Sequence, residues 1–529
     1  MAGNMSILPS GPPPDLARSE DSGPSSGDEE IARLVTDIKD YCITHGGLLK
    51  LVRFEEPTRV PAVGVNVSCR PTPFPRDLFS LATRLQPSFN ELFVRAANDD
   101  TWLYEVLRPQ IEGEPDGLVA SLWDVHVKVR EAGAAQEVGC ALLRADYMLH
   151  DDGEKRGEVG LKQVEVNTFS VAGGCHSDNV AGLHRWLLRR RIAEMDNDDP
   201  STLRLGDLAS NSNTPSIVAS LSAAHAVYQR QFVNSRSKCI LIIVQPLNFN
   251  IADERPIEYG LFVCYRCEWR EILSRTQLGP DRELLFTPVE GGKVFEVSVV
   301  YYRAGYDAAE YTPESNGRGI RLMLELSRAI KCPDVLMHMS GFKSVQRALA
   351  EEGAVERLMG THDDHSRRQV AEMEKTFMPM HVLDDSPKGV EARKLATDPE
   401  KAKDYVLKPN LEGGGNNVFR SDIPEFLSTI AEKEWHRYIL MRLITPPEDS
   451  TGLLLTSEEL YDGPVVSELG ILGFAMWRKR QQGSEGGEEG GLEIIKNEAV
   501  GWTFKTKPRG VDEMSVVKGY GCFDCPMLV

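Results

Sequence analysis

The sequence lacks the features that would place the protein at a membrane or on nucleic acid. No run approaches the ~18 apolar residues of a membrane span, and the first residues hold no apolar core of a secretory signal peptide. Positive charge is scarce, because 79 acidic residues outnumber 60 basic ones and the net charge is −19. Nucleic acid and anionic membranes both require a basic surface, so we exclude them as main partners. We therefore expect a cytoplasmic protein.

Familiar catalytic and nucleotide-binding motifs are also absent. There is no G-x-S-x-G elbow of a serine hydrolase, no P-loop, and no G-x-G-x-x-G before a helix. Two Cys-x-x-Cys pairs occur, Cys264/Cys267 and Cys522/Cys525, but they lie too far apart in the chain for the usual zinc-site spacing. We expect the first pair to lie in a helix, and the ten cysteines to be reduced thiols.

The chain of 529 residues is long enough for about three domains. Residues 1–28, rich in Pro, Ser, Gly and acidic residues, are predicted to be a disordered tail, with Asp28 capping the helix that follows. The strand–helix rhythm of 238–341 predicts an α/β domain between a part at 29–237 and a part at 342–529. Helices are predicted across 87–108, 121–138, 214–231 and 317–331, and the acidic residues 483–491 are predicted to form a mobile loop.

The strongest sign of a site is the sequence Lys-Pro-Asn-Leu-Glu-Gly-Gly-Gly-Asn-Asn-Val-Phe at 408–419, which follows a predicted short strand at 404–407. Three glycines let the backbone adopt positive φ and approach a ligand closely, and successive N–H groups in such a loop can bind an anion. Lys408 adds a positive charge, and Glu412 adds the oxygen ligand that Mg²⁺ prefers. The pattern predicts a loop over nucleotide phosphates, although a plain glycine hairpin with solvated Lys and Glu stays open as an alternative.

A second polar group lies on the predicted strand 159–167. Period-two alternation places Gln163, Glu165 and Asn167 on one face. A carboxylate beside an amide suits a Mg²⁺–phosphate site, but a half-exposed strand with a polar face explains the same pattern and is favoured on this evidence alone. Lys343, at the start of a predicted helix, is either a phosphate ligand or, more commonly, a surface lysine.

Two further apolar strands are predicted, at 438–444 and 465–473. Glu468 lies inside the second, and a carboxylate in an apolar run is either paired or functional. Residues 503–507 bring Lys505 and Lys507 onto one face of another strand. From the residues alone, the sequence predicts a nucleotide-binding α/β protein.

Five blocks, at 143–148, 162–170, 331–334, 406–417 and 467–470, closely resemble eukaryotic glutathione synthetase. The matches keep their order and run from about residue 30 to the end of the sequence. This resemblance implies a mixed α/β (α+β) fold of ATP-grasp architecture, with an inserted α/β substrate-binding domain and a glycine-rich lid. It also implies a homodimer.

The resemblance implies an ATP-dependent ligase that uses Mg²⁺. ATP, γ-glutamylcysteine and glycine would give glutathione, ADP and phosphate through an acyl phosphate. Two alternatives are a ligase of the same fold with another acceptor amino acid, and a non-catalytic ATP-binding scaffold.

The resemblance also assigns site residues. The implied metal ligands are Glu165, Asn167 and Glu412. The implied ATP-binding residues are Glu165, Lys343, Lys408, Glu412, Gly413, Gly414, Gly415, Asn416, Asn417, Phe419, Met441, Arg442, Leu443, Ile444, Glu468 and Lys507. The implied substrate-binding residues are Arg144, Ser170, Ala172, Asn250, Glu254, Arg303, Tyr306, Lys505, Val516 and Val517. The catalytic roles would fall to Arg144, Gly413, Gly414 and Lys505.

The sequence departs from its family around both amino-acid substrates. The family has Arg at Lys505, Ser at Ala172, and Ala at both Val517 and Lys518, while its Glu and Gln become Asn248 and Glu254. An arginine grips a carboxylate through two hydrogen bonds, whereas a lysine offers one compact charge. We therefore expect glycine to remain the preferred acceptor but with a raised KM.

Overall fold

The computed structural model describes residues 26–52, 61–151, 153, 159–194, 204–410, 416–457, 459–479 and 491–529. Residues 1–25 of the predicted tail, the four residues Glu412 to Gly415 and residues 483–490 of the predicted acidic loop lie outside this set, whereas residues 26–28 of the predicted tail belong to a helix. Helices and strands alternate along most of the described chain, so the fold is mixed α/β, as predicted.

The α-helices of the described residues are α1 (Ser26–His45), α2 (Arg76–Asn98), α3 (Asp100–Gly113), α4 (Leu118–Ala132), α5 (Gly174–Glu194), α6 (Asn213–Gln231), α7 (Arg255–Gly260), α8 (Ile272–Arg275), α9 (Gly317–Leu326), α10 (Val335–Ser340), α11 (Lys343–Leu349), α12 (Ala354–Met359), α13 (Asp364–Glu374), α14 (Pro387–Thr397) and α15 (Asp422–Thr429). None of these helices is long and apolar enough to cross a membrane.

The strands of the described residues are β1 (Leu48–Lys50), β2 (Ala62–Gly64), β3 (Val67–Ser68), β4 (Thr72–Phe74), β5 (Val138–Asp151), β6 (Val159–Asn167), β7 (Lys238–Val244), β8 (Cys264–Glu268), β9 (Thr276–Leu278), β10 (Leu284–Phe286), β11 (Phe295–Tyr302), β12 (Ile330–Cys332), β13 (Met380–Val382), β14 (Tyr405–Pro409), β15 (Val418–Phe419), β16 (Tyr438–Arg442), β17 (Thr451–Leu455), β18 (Leu460–Lys479), β19 (Leu492–Pro508), β20 (Cys522–Phe523) and β21 (Pro526–Leu528).

The largest sheet has seven strands in the order β17-β3-β20-β19-β18-β5-β6. Its centre is the long antiparallel pair β18–β19, and β18 also pairs antiparallel with β5. Successive side chains of β18 point to opposite faces: Leu469 and Ile471 enter the core shared with α2, while Leu472 and Phe474 enter the core shared with α6. Burial on both faces explains why β18 is apolar throughout its middle.

A six-stranded sheet lies within residues 238–332, with the order β8-β7-β11-β10-β9 and β12 paired to β11. Strand β7 runs parallel to β8 and β11, and its apolar residues alternate between the same two cores, with Leu241 on one side and Ile242 on the other. The sheet falls inside the segment predicted to be a separate domain, and the domain boundaries themselves stay a prediction.

A four-stranded sheet, β13-β16-β14-β15, carries the residues on both sides of the glycine-rich sequence. Leu407 and Leu440 are fully buried beneath α14 and α15. Strand β14 therefore fixes Lys408 near its end, and β15 fixes Phe419.

Three helix predictions were wrong in extent. The helix predicted at 87–108 is two helices, because Asp99 leaves helical geometry and its side chain accepts a hydrogen bond from the N–H of Trp102 (3.0 Å), capping α3. The helix predicted at 317–331 ends at Leu326, because Ser327 is extended and the chain then enters strand β12. In contrast, α6 matches the helix predicted at 214–231.

Other local predictions also need correction. The helix predicted at 121–138 ends at Ala132, before Gly133 with φ 76°. Helix α1 begins at Ser26, so Asp28 lies in its first turn rather than at its cap. Cys264 and Cys267 lie on strand β8 and not in a helix, because this segment pairs with β7. The strand predicted to reach residue 444 ends at Arg442.

Candidate functional site

A cavity of about 880 Å³ opens between the three larger sheets, and most of the predicted site residues line it. Those residues are Arg144, Glu165, Asn167, Ser170, Ala172, Asn250, Glu254, Arg303, Tyr306, Lys408, Asn416, Asn417, Phe419, Met441, Arg442, Leu443, Ile444, Glu468, Lys505, Lys507, Val516 and Val517. Lys343 lies behind Glu165, outside the lining. Glu412, Gly413, Gly414 and Gly415 lie outside the described residues.

The floor of the cavity is the paired strands β5 and β6. Arg144 pairs with Asn167 and Asp146 with Glu165, so these four side chains share one face. The register shifts between these pairs and Tyr147–Gln163, which leaves Val164 as the extra residue of a β-bulge. The prediction that Gln163 shares the face of Glu165 was wrong, because the bulge turns its side chain towards the other face.

Arg144 is held rigidly at this floor. Its Nε and Nη2 donate to the two carboxylate oxygens of Asp146 (2.6 and 2.8 Å), and its Nη1 donates to the carbonyl of Ala172 (2.8 Å). Burial disfavours the charged guanidinium, but the nearby Asp146 carboxylate outweighs it and raises the pKa of Arg144. Asp146 was missed in the sequence, although its place two residues after Arg144 on one strand face is a usable signal.

Two lysines face the carboxylate of Glu165. Lys343 Nζ donates to Glu165 (2.8 Å), and Lys408 Nζ donates to the carbonyl of Val164 (2.9 Å). Burial raises the pKa of Glu165, but the two lysines outweigh it and hold that pKa well below its usual range. Lys343 is only 3% exposed, so the interpretation as a surface lysine was wrong. Burial lowers the pKa of Lys408 to about 8 despite the attraction of Glu165.

Glu468 and Lys505 face each other across β18 and β19 and form a buried ion pair. Burial raises the pKa of Glu468 even beside this lysine. The paired alternative for Glu468 is therefore correct, and its partner is the lysine predicted to face the acceptor. Two residues further along β19, Lys507 Nζ donates to the carbonyl of Asp512 (2.5 Å).

The opposite end of the cavity is organised around Arg303. Its guanidinium donates to Glu254 (3.2 Å), to Asp253 (3.4 Å) and to the carbonyls of Ser170 and Val171. The Asp253 carboxylate in turn accepts hydrogen bonds from the main-chain N–H groups of residues 173 and 175 (2.8 and 3.0 Å). Asp253, which the sequence prediction missed, thus fixes the loop at 170–175.

The remaining predicted contacts at this end are polar. Glu254 also accepts from Arg266 (2.8 Å) and Asn248 (2.5 Å). Asn250 faces His176 (2.8 Å), and Tyr306 accepts at its hydroxyl from Gln245 (2.8 Å). Ser170 has φ 49° in this structure. Within the described part of the chain, the N–H groups of 170–172 make no hydrogen bond, so they are available to a ligand.

The side of the cavity towards the four-stranded sheet is apolar. Val406, Phe419, Met441, Leu443 and Ile444 form one cluster there, together with two methionines. Such a surface suits a flat aromatic base.

The donor set fits a magnesium nucleotide. Glu165 is held as a carboxylate, and both N–H groups of Asn167 donate to Asp146 (3.0 Å) and Glu165 (3.1 Å), which leaves the Asn167 amide oxygen as an acceptor. Among the described residues no group of three or more His, Cys, Asp or Glu could hold a metal by itself. Mg²⁺ typically binds one or two carboxylates together with substrate phosphates and water, so a sparse set of oxygens is what it requires.

Comparison with known proteins gives one consistent result. Residues 28–528 match the family model for the ATP-binding domain of eukaryotic glutathione synthase. The chain is 32% identical over 515 residues to the glutathione synthetase large chain of Schizosaccharomyces pombe, covering 93% of this chain and 96% of that one. It is 29% identical over 504 residues to glutathione synthetase of Homo sapiens, covering 94% and 96%.

Among solved structures, a glutathione synthetase-like effector of Globodera pallida in its apo form matches with a TM-score of 0.66 and 21% identity, covering 96% of this chain and 98% of that one. The architecture is that of an ATP-grasp protein. The chain belongs to the eukaryotic glutathione synthase family.

Proposed function

We propose that the protein is a glutathione synthase, which ligates γ-glutamylcysteine to glycine with ATP and releases glutathione, ADP and phosphate. The strongest support for this proposal is that one cavity contains two kinds of site. A cation cluster suited to a triphosphate lies next to an arginine-bound loop suited to a carboxylate substrate, as a transfer of phosphate to that carboxylate requires.

The triphosphate would lie against Lys408 and Lys507, with Lys343 behind Glu165 adding positive charge, and the base would lie in the apolar cluster around Met441 and Phe419. Glu165 and Asn167, together with Glu412, would hold Mg²⁺. When bound, the ion would neutralise charge between phosphate oxygens. Glu165 serves this role because the lysines keep it ionised in a buried place.

The donor carboxylate would lie between Arg144 and the N–H groups at 170–172. Attack of this carboxylate on the γ-phosphate gives an acyl phosphate, and the amine of the acceptor then displaces the phosphate. Arg144 is already oriented by Asp146, so its remaining donors can meet the developing oxyanion without reorganisation. Gly413 and Gly414 are proposed to cover the phosphates, on the basis of the sequence alone.

The γ-glutamyl end would lie near Asn250, Glu254 and Tyr306 at the far end of the cavity. Arg303 uses most of its donors on protein oxygens, so it shapes this end as well as supplying charge. Glu254 is shared between Arg303 and Arg266, which leaves a substrate ammonium to compete with two guanidinium groups.

The acceptor carboxylate would lie near Lys505, Val516 and Val517. Because Lys505 is already paired with Glu468, it offers the acceptor less positive charge than an unpaired lysine would. Glycine is proposed as the preferred acceptor, with a raised KM. The ion pair is also the observation that favours the second candidate, a ligase of this fold with a different acceptor amine.

The decisive experiment is phosphate release from ATP with γ-glutamylcysteine and, in turn, glycine, alanine, serine and β-alanine. Lys505→Arg should lower the KM for glycine by about fivefold or more, because an arginine can keep Glu468 and still donate to a carboxylate. Lys496→Arg, on the same strand outside the cavity lining, is the matched control. If a larger amine is used better than glycine, the second candidate replaces the first; no release with any amine favours a non-catalytic scaffold.

We further propose a cytoplasmic homodimer. Leu247, Tyr259 and Phe262 are large apolar side chains that are 67–102% exposed, and burial against a second copy would remove them from water. Light scattering on the purified chain tests the dimer.

A further inference from the structure

Arg420 combines an uncommon backbone with a cross-cavity contact. Its φ of 51° lies in the left-handed region, which arginine seldom adopts. The residue makes the turn between β15 and α15: its N–H donates to the carbonyl of Tyr405 (3.0 Å), and its carbonyl accepts from Ile423 (3.1 Å). A glycine would make this turn at lower cost, so the turn alone gives no reason for an arginine.

The side chain of Arg420 gives that reason. Its Nη1 forms an ion pair with the carboxylate of Asp512, and both residues line the cavity. The main-chain carbonyl of Asp512 accepts the hydrogen bond from Lys507 Nζ (2.5 Å). A chain of contacts thus runs from the end of β15, on the four-stranded sheet, to a lysine on β19 of the seven-stranded sheet.

We infer that Arg420 is a positioning residue for Lys507 in nucleotide binding, acting through Asp512. The inference rests on the proposed function, in which Lys507 meets the triphosphate. A lysine has a flexible stem and loses much rotamer entropy when it is fixed on a ligand. Anchoring Asp512 fixes the carbonyl that holds the ammonium, so part of this entropy is lost before the nucleotide arrives.

The same pair should contribute little to folding. The Arg420 and Asp512 side chains are 49% and 41% exposed, and half-exposed ion pairs of this kind stabilise the folded state only weakly. Loss of the pair should therefore appear in nucleotide affinity while the folded state keeps its stability.

The first test is Arg420→Gly in the full chain. Glycine relieves the left-handed strain, so the Tm should be unchanged or higher. The Kd for a non-hydrolysable Mg·ATP analogue and the KM for ATP should rise about two- to fivefold, the range of a weak ion pair, with a smaller change in kcat. Added salt should reduce the difference in Kd between the variant and wild type.

The matched control is Arg282→Gly. Arg282 also has a left-handed φ (59°), but its guanidinium binds main-chain carbonyls at Ala132 and Gly133, and it does not line the cavity. This variant removes an arginine and the same kind of strain outside the cavity, so nucleotide affinity should not change, whatever the shift in Tm from the two lost hydrogen bonds.

The second test exchanges the charges. Arg420→Asp and Asp512→Arg should each weaken analogue binding, and the double variant should restore it towards wild type. Equal affinity of Arg420→Gly and wild type, or a double variant as weak as the single ones, overturns the inference. A wild-type protein that binds no nucleotide overturns the proposed function and this inference with it. If Arg420→Gly lowers the Tm, the charge-exchange variants test the inference instead. A double variant that binds the analogue as weakly as the single variants then overturns it.

Discussion

The protein buries two groups of charged side chains in very different ways. One is the cavity group, which consists of Glu165, Lys343 and Lys408. The other, which we name the interior group, lies beside the six-stranded sheet and consists of Arg321, Glu325 and Lys331. In both groups the side chains are buried or nearly buried. In each group a carboxylate faces basic partners.

The interior group is closed by protein on every side. Arg321 donates to Glu325 (2.9 Å) and packs over the ring of Tyr302 (4.1 Å), while Lys331 Nζ donates to the carbonyls of Glu325 (3.3 Å) and Ser327 (2.8 Å). The cavity group instead borders open space, because Glu165 and Lys408 line the cavity and Lys343 lies directly behind Glu165. A shifted pKa does not distinguish the cavity group from the interior group, because burial lowers the pKa of Lys331 as it lowers that of Lys408. Access to a cavity, more than burial of charge, marks the functional group.

The largest expected effect comes from the interior group. Glu325→Gln removes the charge that balances Arg321 without changing size, and water cannot reach the site. The free energy of unfolding should fall by about 3–5 kcal/mol, the cost of an unpaired buried charge. Urea titration measures this, and the kcat of the molecules that remain folded should be that of wild type. A loss of kcat at unchanged stability would show that the interior group belongs to the site.

The matched change in the cavity group should have the opposite signature. Glu165→Gln removes a proposed Mg²⁺ ligand and the partner of Lys343, so kcat should fall by about 10²–10³-fold. The loss of stability should be smaller than for Glu325→Gln, because Glu165 itself lines the cavity and water can enter beside the freed lysine. Steady-state phosphate release and urea titration on the same preparation check both parts. Normal turnover in this variant would show that the polar face of β6 has no role in catalysis.

A smaller effect should follow from pH. Lys408 has a depressed pKa of about 8 in the free protein, so its ammonium is present below pH 8 and is lost above it. The KM for ATP should therefore rise by about tenfold between pH 7 and pH 9. Lys408→Arg, which stays charged, should flatten the profile. An equal rise in the arginine variant would assign the titration to another group, such as Lys507.

Local patterns in the sequence predicted the parts of the site that depend on one element. The strand at 159–167 was confirmed with its bounds, and Glu165 and Asn167 do share a face. Gln163 does not, because the bulge at Val164 arises from pairing with β5 and leaves no trace in the alternation of β6 itself.

Contacts between distant parts of the chain could not be predicted in this way. Lys343 lies 178 positions from its partner Glu165, so nothing near it in the sequence indicates burial. The length of α9 was overestimated for a related reason, because Ile330–Cys332 is drawn into the sheet by β11. Asp146, in contrast, could have been predicted from the sequence, because it follows Arg144 on the same strand face.

The position of β20 in the largest sheet bears on the order in which the chain folds. This strand of two residues lies between β3 and β19, and Asn66 bonds to Gly521 across 455 positions of sequence. Contacts of such high sequence separation form late in folding, so β3 enters the largest sheet only once β19 and β20 are available. Until those strands have formed, the edge of β3 is open to pairing with other chains.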